Sequence, residues 1–211
     1  MLEEARYRQE LCDIMKRQYM KGLVSCEGGN ASVVSREDNF ILVTPTHIDK
    51  LKIQPDEIVK VGLDDGRIMG GGECSSETIN HLSIYRARTD ICAIVHGHPA
   101  NAVGMVSAGY IPKTVTSEYI MLVRNLVAVD FATPGEDSVR ELTEALSHTD
   151  IVLLKHHGAF SVGMTILEAF SRIEALEEAA KITIAGRVFG GIPELTDQQV
   201  AECISAYGKK S

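Results

Sequence analysis

The sequence predicts an α/β fold in which helices pack on a mostly antiparallel sheet. Three observations carry that expectation. Short apolar segments of strand length recur along the chain, a hairpin-turn signal follows one of them, and helical stretches are interspersed without regular strand–helix–strand alternation. No repeat, low-complexity tract or long Ser/Pro linker divides the 211 residues, so 1–211 read as one domain. A chain of this length hides roughly 70% of the surface its unfolded form exposes, so its core needs no staples.

The elements follow in order. A first helix spans 2–20, with Ala5, Leu11, Ile14, Met15 and Tyr19 near a helical period and Gly22 as its stop. Strands are expected at 31–34, 40–43 and 58–61, the last leading into the turn Asp64-Asp65-Gly66. A second helix starts at Ser75 or Ser76, either able to cap it, and runs to about residue 88. The apolar run 91–95 has strand length and ends in the polar HGHP, whose Pro99 suits the first turn of a short helix. Further strands are expected at 120–123, 127–129 and 151–154, and a helix at 136–147. A long helix begins near 166, with Thr165 and Glu168 at capping-box spacing and a stripe of Leu167, Phe170, Ile173, Leu176, Ala180 and Ile184. A last helix covers 197–206.

Composition narrows the function. Twenty-one basic against twenty-nine acidic residues give a net charge of −8, which argues against a nucleic-acid or anionic-membrane binder. Any phosphate site must then be local, made of backbone N–H groups and hydroxyls. No stretch approaches the roughly 20 apolar residues of a membrane span, and the opening MLEEARYRQELCDIMKRQYMKG mixes charge with apolarity unlike a signal or transit peptide. The five cysteines are scattered and never in a C-x-x-C pair, which fits free thiols in a reducing compartment and points to a cytoplasmic protein.

Chemistry concentrates at a few junctions. His96 and His98 stand one residue apart at the end of an apolar strand, so both imidazoles leave one face. Taken alone, such a pair is more often polar residues where a strand meets solvent. The strand 151–154, however, also ends in histidines, and two such strands lying side by side would supply a third metal ligand. His157, beside Gly158 where the backbone can turn sharply, is the expected ligand, with His156 the alternative. Glu77, at the start of the second helix, either complements the helix dipole or acts as a general base beside an anion and a metal. His81, one turn later, is a fourth ligand, an orienting partner of the carboxylate, or a core residue. The segments Glu27-Gly28-Gly29-Asn30-Ala31-Ser32 and Thr44-Pro45-Thr46, with Ser75 and Ser76, make a cradle of hydroxyls and N–H groups for one phosphate. Neither segment is a Walker loop or G-x-G-x-x-G, which disfavours nucleotides.

In order along the chain, GGNAS, VTPTHI, CSSE, HGHP, LLKHHG and AYGKKS resemble the class II aldolase and adducin-head family, and within it the sugar-phosphate aldolases of the L-fuculose-1-phosphate type. The resemblance covers nearly the whole chain. It implies a three-layer α/β/α fold with a central, mostly antiparallel sheet, and a homotetramer with sites between subunits. It implies His96, His98 and His157 as ligands of one Zn²⁺ per subunit, with Mn²⁺, Co²⁺ or Fe²⁺ as alternatives. Glu77 would cover the open metal position and shuttle a proton. Gly29, Asn30, Thr46, Ser75 and Ser76 would hold the substrate phosphate. Tyr119 would reach the neighbouring subunit's site as a proton donor, and Tyr207 would lie on a C-terminal helix and tail, 192–211, that closes over substrate. The implied reaction is reversible cleavage of a ketose 1-phosphate to dihydroxyacetone phosphate and a small aldehyde, by a metal-dependent lyase. Epimerases of the family typically carry aspartate at the Glu77 position, whereas decarboxylases and dehydratases share the triad; a non-catalytic adducin-like scaffold would be expected had the ligands been lost. One departure stands out. Where the family commonly has glycine after Thr-Pro-Thr, this chain has His47, which is expected to narrow the pocket.

Overall fold

In the computed structural model, which describes residues 2–130 and 136–207, the short apolar runs assemble into one eight-stranded sheet. The strands are β1 (Asn30–Ser35), β2 (Phe40–Val43), β3 (Val59–Gly62), β4 (Ile68–Gly70), β5 (Ala93–Gly97), β6 (Val127–Val129), β7 (Ile151–Leu154) and β8 (Ala159–Gly163), in the spatial order β4-β3-β2-β1-β5-β8-β7-β6. Every pairing is antiparallel except β6 with β7. The helices are α1 (Leu2–Met20), α2 (Thr78–Ala87), α3 (Ala100–Ser107), α4 (Ser117–Leu122), α5 (Glu136–Leu146), α6 (Ile166–Arg187) and α7 (Asp197–Tyr207).

The period-two alternation of a strand sends neighbouring apolar residues to opposite faces, and both faces here are covered. Val33, Leu42, Val95 and Leu153 pack with Leu11 and Met15 of α1 and Phe170, Ile173 and Leu176 of α6. Their sequence neighbours Val34, Ile41, Ile94 and Val152 pack on the other side with Leu82 and Tyr85 of α2 and Leu142 and Leu146 of α5. The result is the expected three-layer α/β/α arrangement. Across the central strands Asn30 pairs with His96, and His96 with Phe160, which puts the chemically interesting residues at one end of the sheet.

Several local expectations are corrected. The run 120–123 is helical: Thr116 Oγ1 accepts the Tyr119 N–H, capping α4, and Tyr119, Ile120 and Val123 turn inward at helical spacing. Neither serine caps α2. Ser75 Oγ accepts the Glu77 N–H and its carbonyl accepts the Thr78 N–H, so a turn precedes a helix that begins at Thr78. The strand expected at 91–95 is shifted to Ala93–Gly97, because His96 and Gly97 continue the ladder with β8. Pro99 sits at the N-cap of α3, one residue before its first turn. On α6 the Thr165 half of the capping box is present, whereas Glu168 Oε2 takes the Met164 N–H. Leu167 and Ile184 face solvent; a line through Ile166, Phe170, Ile173, Leu176 and Ala180 faces the sheet. Residues 208–211 of the expected closing tail lie outside the described residues.

Candidate active site

The histidines are set by the strands that carry them. His96, inside β5, is fully buried, stacks on Phe160 with ring centroids 4.1 Å apart, and donates from Nδ1 to the Ala159 carbonyl at 3.0 Å. That bond leaves the Nε2 lone pair free to ligate a cation. His98, just beyond β5, places its Nε2 3.1 Å from His96 Nε2. The third ring belongs to His157, and ligand atoms of the three histidines all lie within 4.8 Å of one another. In a tetrahedral zinc site with Zn–N near 2.05 Å, ligand nitrogens stand roughly 3.3 Å apart; the His96–His98 pair is at that spacing, and the three rings together form a cluster able to coordinate a divalent cation. Burial pushes the His96 imidazole down to about 3 and also lowers His98, so both rings are neutral at neutral pH, as ligation requires.

The two histidine-ending strands do not lie side by side, as the sequence suggested: β8 runs between β5 and β7. His157 arrives on the hairpin linking β7 to β8, where its N–H bonds to the Leu154 carbonyl. The sharp turn is made by His156, whose φ is +58°, rather than by Gly158. Gly158 instead permits close approach: a Cβ there would lie 2.4 Å from the Gly97 carbonyl oxygen, 2.7 Å from His98 Cδ2 and 2.9 Å from His96 Cε1.

Glu77 reaches the cluster from the turn before α2. Its Oε2 lies 3.4 Å from His96 Nε2 and its Oε1 3.3 Å from His157 Nε2. Burial pushes this carboxyl upward, but the adjoining His96 and His157 and the Asn30 amide prevail and hold it well below the usual carboxylate range. Asn30 Nδ2 donates to Glu77 Oε2 at 2.6 Å, and Asn30 Oδ1 meets His81 Nε2 at 2.6 Å. His81 is not a fourth ligand. It is fully buried on α2, with Nδ1 2.6 Å from Ser32 Oγ, and burial lowers its imidazole to about 4. Ser32, expected in the phosphate cradle, is instead buried outside the cavity lining and bonded to His81 and Tyr85, and Tyr85 is not among the expected site residues. The available signal was periodicity: Ser32 follows Asn30 by two on a strand, and Tyr85 follows His81 by four on a helix.

One cavity of about 410 Å³ collects Gly29, Asn30, Thr46, Ser75, Ser76, Glu77, His98 and His157. Gly29 has φ +68°, and a Cβ on it would lie 2.4 Å from Val24 Cγ1 and 2.8 Å from the His96 carbonyl oxygen, so no larger residue fits this wall. His47 does not line the cavity and so does not narrow it. It adopts φ +50° and turns its Nδ1 to within 3.5 Å of Glu27 Oε2 at the surface. Neither tyrosine lines this cavity. Tyr119 is buried, donates its hydroxyl to the Pro112 carbonyl at 3.2 Å, and is raised to about 12 by burial. Tyr207 ends α7, which packs on α4, and borders a separate cavity with Arg88, Asp150 and Arg172.

Residues 9–184 match the family described as the class II aldolase and adducin N-terminal domain. The L-fuculose phosphate aldolase of Methanocaldococcus jannaschii is 30% identical over 177 residues, 84% of this chain and 95% of its own length. The 3-oxo-tetronate 4-phosphate decarboxylase of Escherichia coli K12 is 27% identical over 94% of this chain and 95% of its own length. The crystal structure of L-fuculose-1-phosphate aldolase from Thermus thermophilus superposes with a TM-score of 0.78 at 27% identity, covering 90% of this chain and 100% of that one. Among the described residues, no helix is long and apolar enough to cross a membrane.

Proposed function

The chain belongs to the class II aldolase and adducin N-terminal domain family, and from that premise we propose that it is a metal-dependent aldolase, reversibly cleaving a ketose 1-phosphate to dihydroxyacetone phosphate and a small aldehyde. The observation that carries this reading is a carboxylate within 3.4 Å of two of the three clustered imidazoles, at the wall of a cavity rich in hydroxyls and backbone N–H groups. His96, His98 and His157 would hold the cation, with Zn²⁺ the proposed ion. When bound, it supplies Lewis-acid stabilisation of the negative charge that develops on the substrate's oxygens.

Glu77 carries the proton work in this reading. In the synthetic direction its carboxylate takes a proton from the carbon beside the ketone; in cleavage it returns that proton to the enediolate. Thr46, Ser75, Ser76 and the Gly29 backbone would orient the phosphate without net positive charge. A Schiff-base route needs a lysine in the cavity, and among the described residues none lines it: Lys155, beside the histidines in sequence, pairs its Nζ with Asp130 Oδ1 at 2.5 Å, and the buried Lys50 donates to the Pro45 carbonyl. A homotetramer in which Tyr119 serves a neighbour's aldehyde oxygen is part of the proposal, and in it the Tyr119 hydroxyl exchanges the Pro112 carbonyl for that oxygen. The tail from 192 onward is proposed as the closing element.

The decarboxylase relative favours a second reading. Loss of carbon dioxide from a 3-oxo acid 4-phosphate leaves its electron pair in an enediolate, which Glu77 would protonate in the same way. Incubating metal-loaded protein with dihydroxyacetone phosphate and a panel of aldehydes distinguishes the two. New ketose phosphates are expected; their absence, with carbon dioxide released from 3-oxo-tetronate 4-phosphate, would replace the aldolase by the decarboxylase.

A further inference from the structure

Behind Glu77 the hydrogen-bonding groups form a continuous buried chain: Tyr85 hydroxyl, Ser32 Oγ, His81 Nδ1 and Nε2, Asn30 Oδ1 and Nδ2, Glu77 Oε2. The successive separations are 2.9, 2.6, 2.6 and 2.6 Å. Tyr85, Ser32 and His81 are 0% exposed and Asn30 3%, so no solvent competes for these bonds.

Chemistry permits a single direction of donation along the chain. A carboxylate only accepts, so Asn30 must turn its NH₂ to Glu77. Its Oδ1 then accepts, which requires the proton of a neutral His81 to sit on Nε2. The bare Nδ1 must accept in turn, and Ser32 Oγ–H is the donor within reach. The Tyr85 hydroxyl, whose one proton faces both Ser32 Oγ at 2.9 Å and the Ser32 carbonyl at 3.0 Å, is the donor that closes the chain.

We propose that His81, through Asn30, is a positioning residue that fixes Glu77 with Oε2 anchored as an acceptor and Oε1 as the oxygen that exchanges the substrate's proton. The inference rests on the proton role proposed for Glu77 above. The Asn30 N–H held 2.6 Å from Oε2 draws on that oxygen's electron density and makes Oε1 the more basic, so the incoming proton goes to Oε1 while the C–H electron pair stays on the substrate. The Asn30 amide is thereby committed at both ends, Nδ2 to the carboxylate and Oδ1 to His81, rather than serving chiefly as a phosphate ligand.

The test follows deuterium exchange into dihydroxyacetone phosphate in D₂O, with metal-loaded protein. His81→Leu should lower kcat for exchange roughly 10- to 100-fold, the cost usual for losing an outer partner of a catalytic group, with KM and metal uptake unchanged. His81→Gln, which can still donate to Asn30 Oδ1, should recover part of the loss. Added to Glu77→Gln, His81→Leu should slow residual exchange little further, since residues acting through one another are not additive. A full additional loss in the double variant, or a loss in KM and metal uptake with no change in kcat, would overturn the proposal. Should His81→Leu fail to fold, ¹⁵N spectra of the unmodified protein decide: a His81 proton on Nε2 supports it, and one on Nδ1 refutes it. Wild-type exchange by Glu77→Gln would instead remove the proposed proton role itself. Slow exchange by Glu77→Gln beside wild-type exchange by His81→Leu would remove the positioning chain alone.

Discussion

Replacing Gly158 by alanine adds one methyl group at the point where the β7–β8 hairpin passes over the histidines. Its Cβ would stand 2.4 Å from the Gly97 carbonyl oxygen, 2.7 Å from His98 Cδ2 and 2.9 Å from His96 Cε1. Ordinary contacts of this kind begin near 3.4 Å, so the hairpin or the two rings must move by roughly 1 Å. None of the three neighbours is the free end of a flexible chain. One is backbone within the central sheet, and the His96 ring is clamped between Phe160 and the Ala159 carbonyl. Overpacking of a tight site costs about 1–3 kcal/mol, and disturbing the groups that orient metal ligands typically weakens metal binding roughly 10- to 100-fold. Gly158→Ala should therefore bind zinc roughly 10- to 100-fold more weakly in a chelator-competition titration, with a lowered melting temperature in the metal-free protein. Wild-type affinity and wild-type melting together would refute the close-approach reasoning.

Other substitutions separate the roles of neighbouring residues. Glu77→Gln should keep fold and metal while cutting turnover by roughly 10²- to 10⁴-fold; near-normal turnover would remove Glu77 from the chemistry. His157→Ala should abolish stoichiometric metal uptake in equilibrium dialysis, whereas His156→Ala should retain it, because the His156 ring is outside the cluster. Ending the chain after Gly191 removes α7, the Lys113–Glu194 ion pair and the Leu195 N–H bond to the Thr114 carbonyl, all at the surface. Turnover should fall by a larger factor than that by which the unfolding equilibrium constant rises; equal factors would make the segment structural.

Much of the architecture was legible because local signals agreed with the tertiary outcome. Residues 2–20, 40–43 and 151–154 form their elements with the expected bounds, since periodicity and the flanking turn residues point the same way there. The run at 120–123 misled because its apolar residues suit a strand or a buried helix, and Thr116, four residues upstream, decided the matter as a cap. Strand β8 was not anticipated: Phe160 and Val162 alternate, but Ala159, Ser161 and Gly163 between them carry little strand propensity, and its place between β5 and β7 is set by the ladder. The three imidazoles could be read from two strand ends and a glycine. The chain from Tyr85 to Glu77 could not, because it depends on how α2 lies across β1, which no spacing in either segment specifies.

Deuterium exchange into dihydroxyacetone phosphate tests the central claim most directly. Protein carrying about one divalent ion per protomer should exchange a carbon-bound proton of dihydroxyacetone phosphate, and should lose this activity when a chelator strips the ion and regain it on adding zinc. Undiminished exchange by the stripped protein, or none by the loaded protein, would contradict a site in which His96, His98, His157 and Glu77 act together on a sugar phosphate.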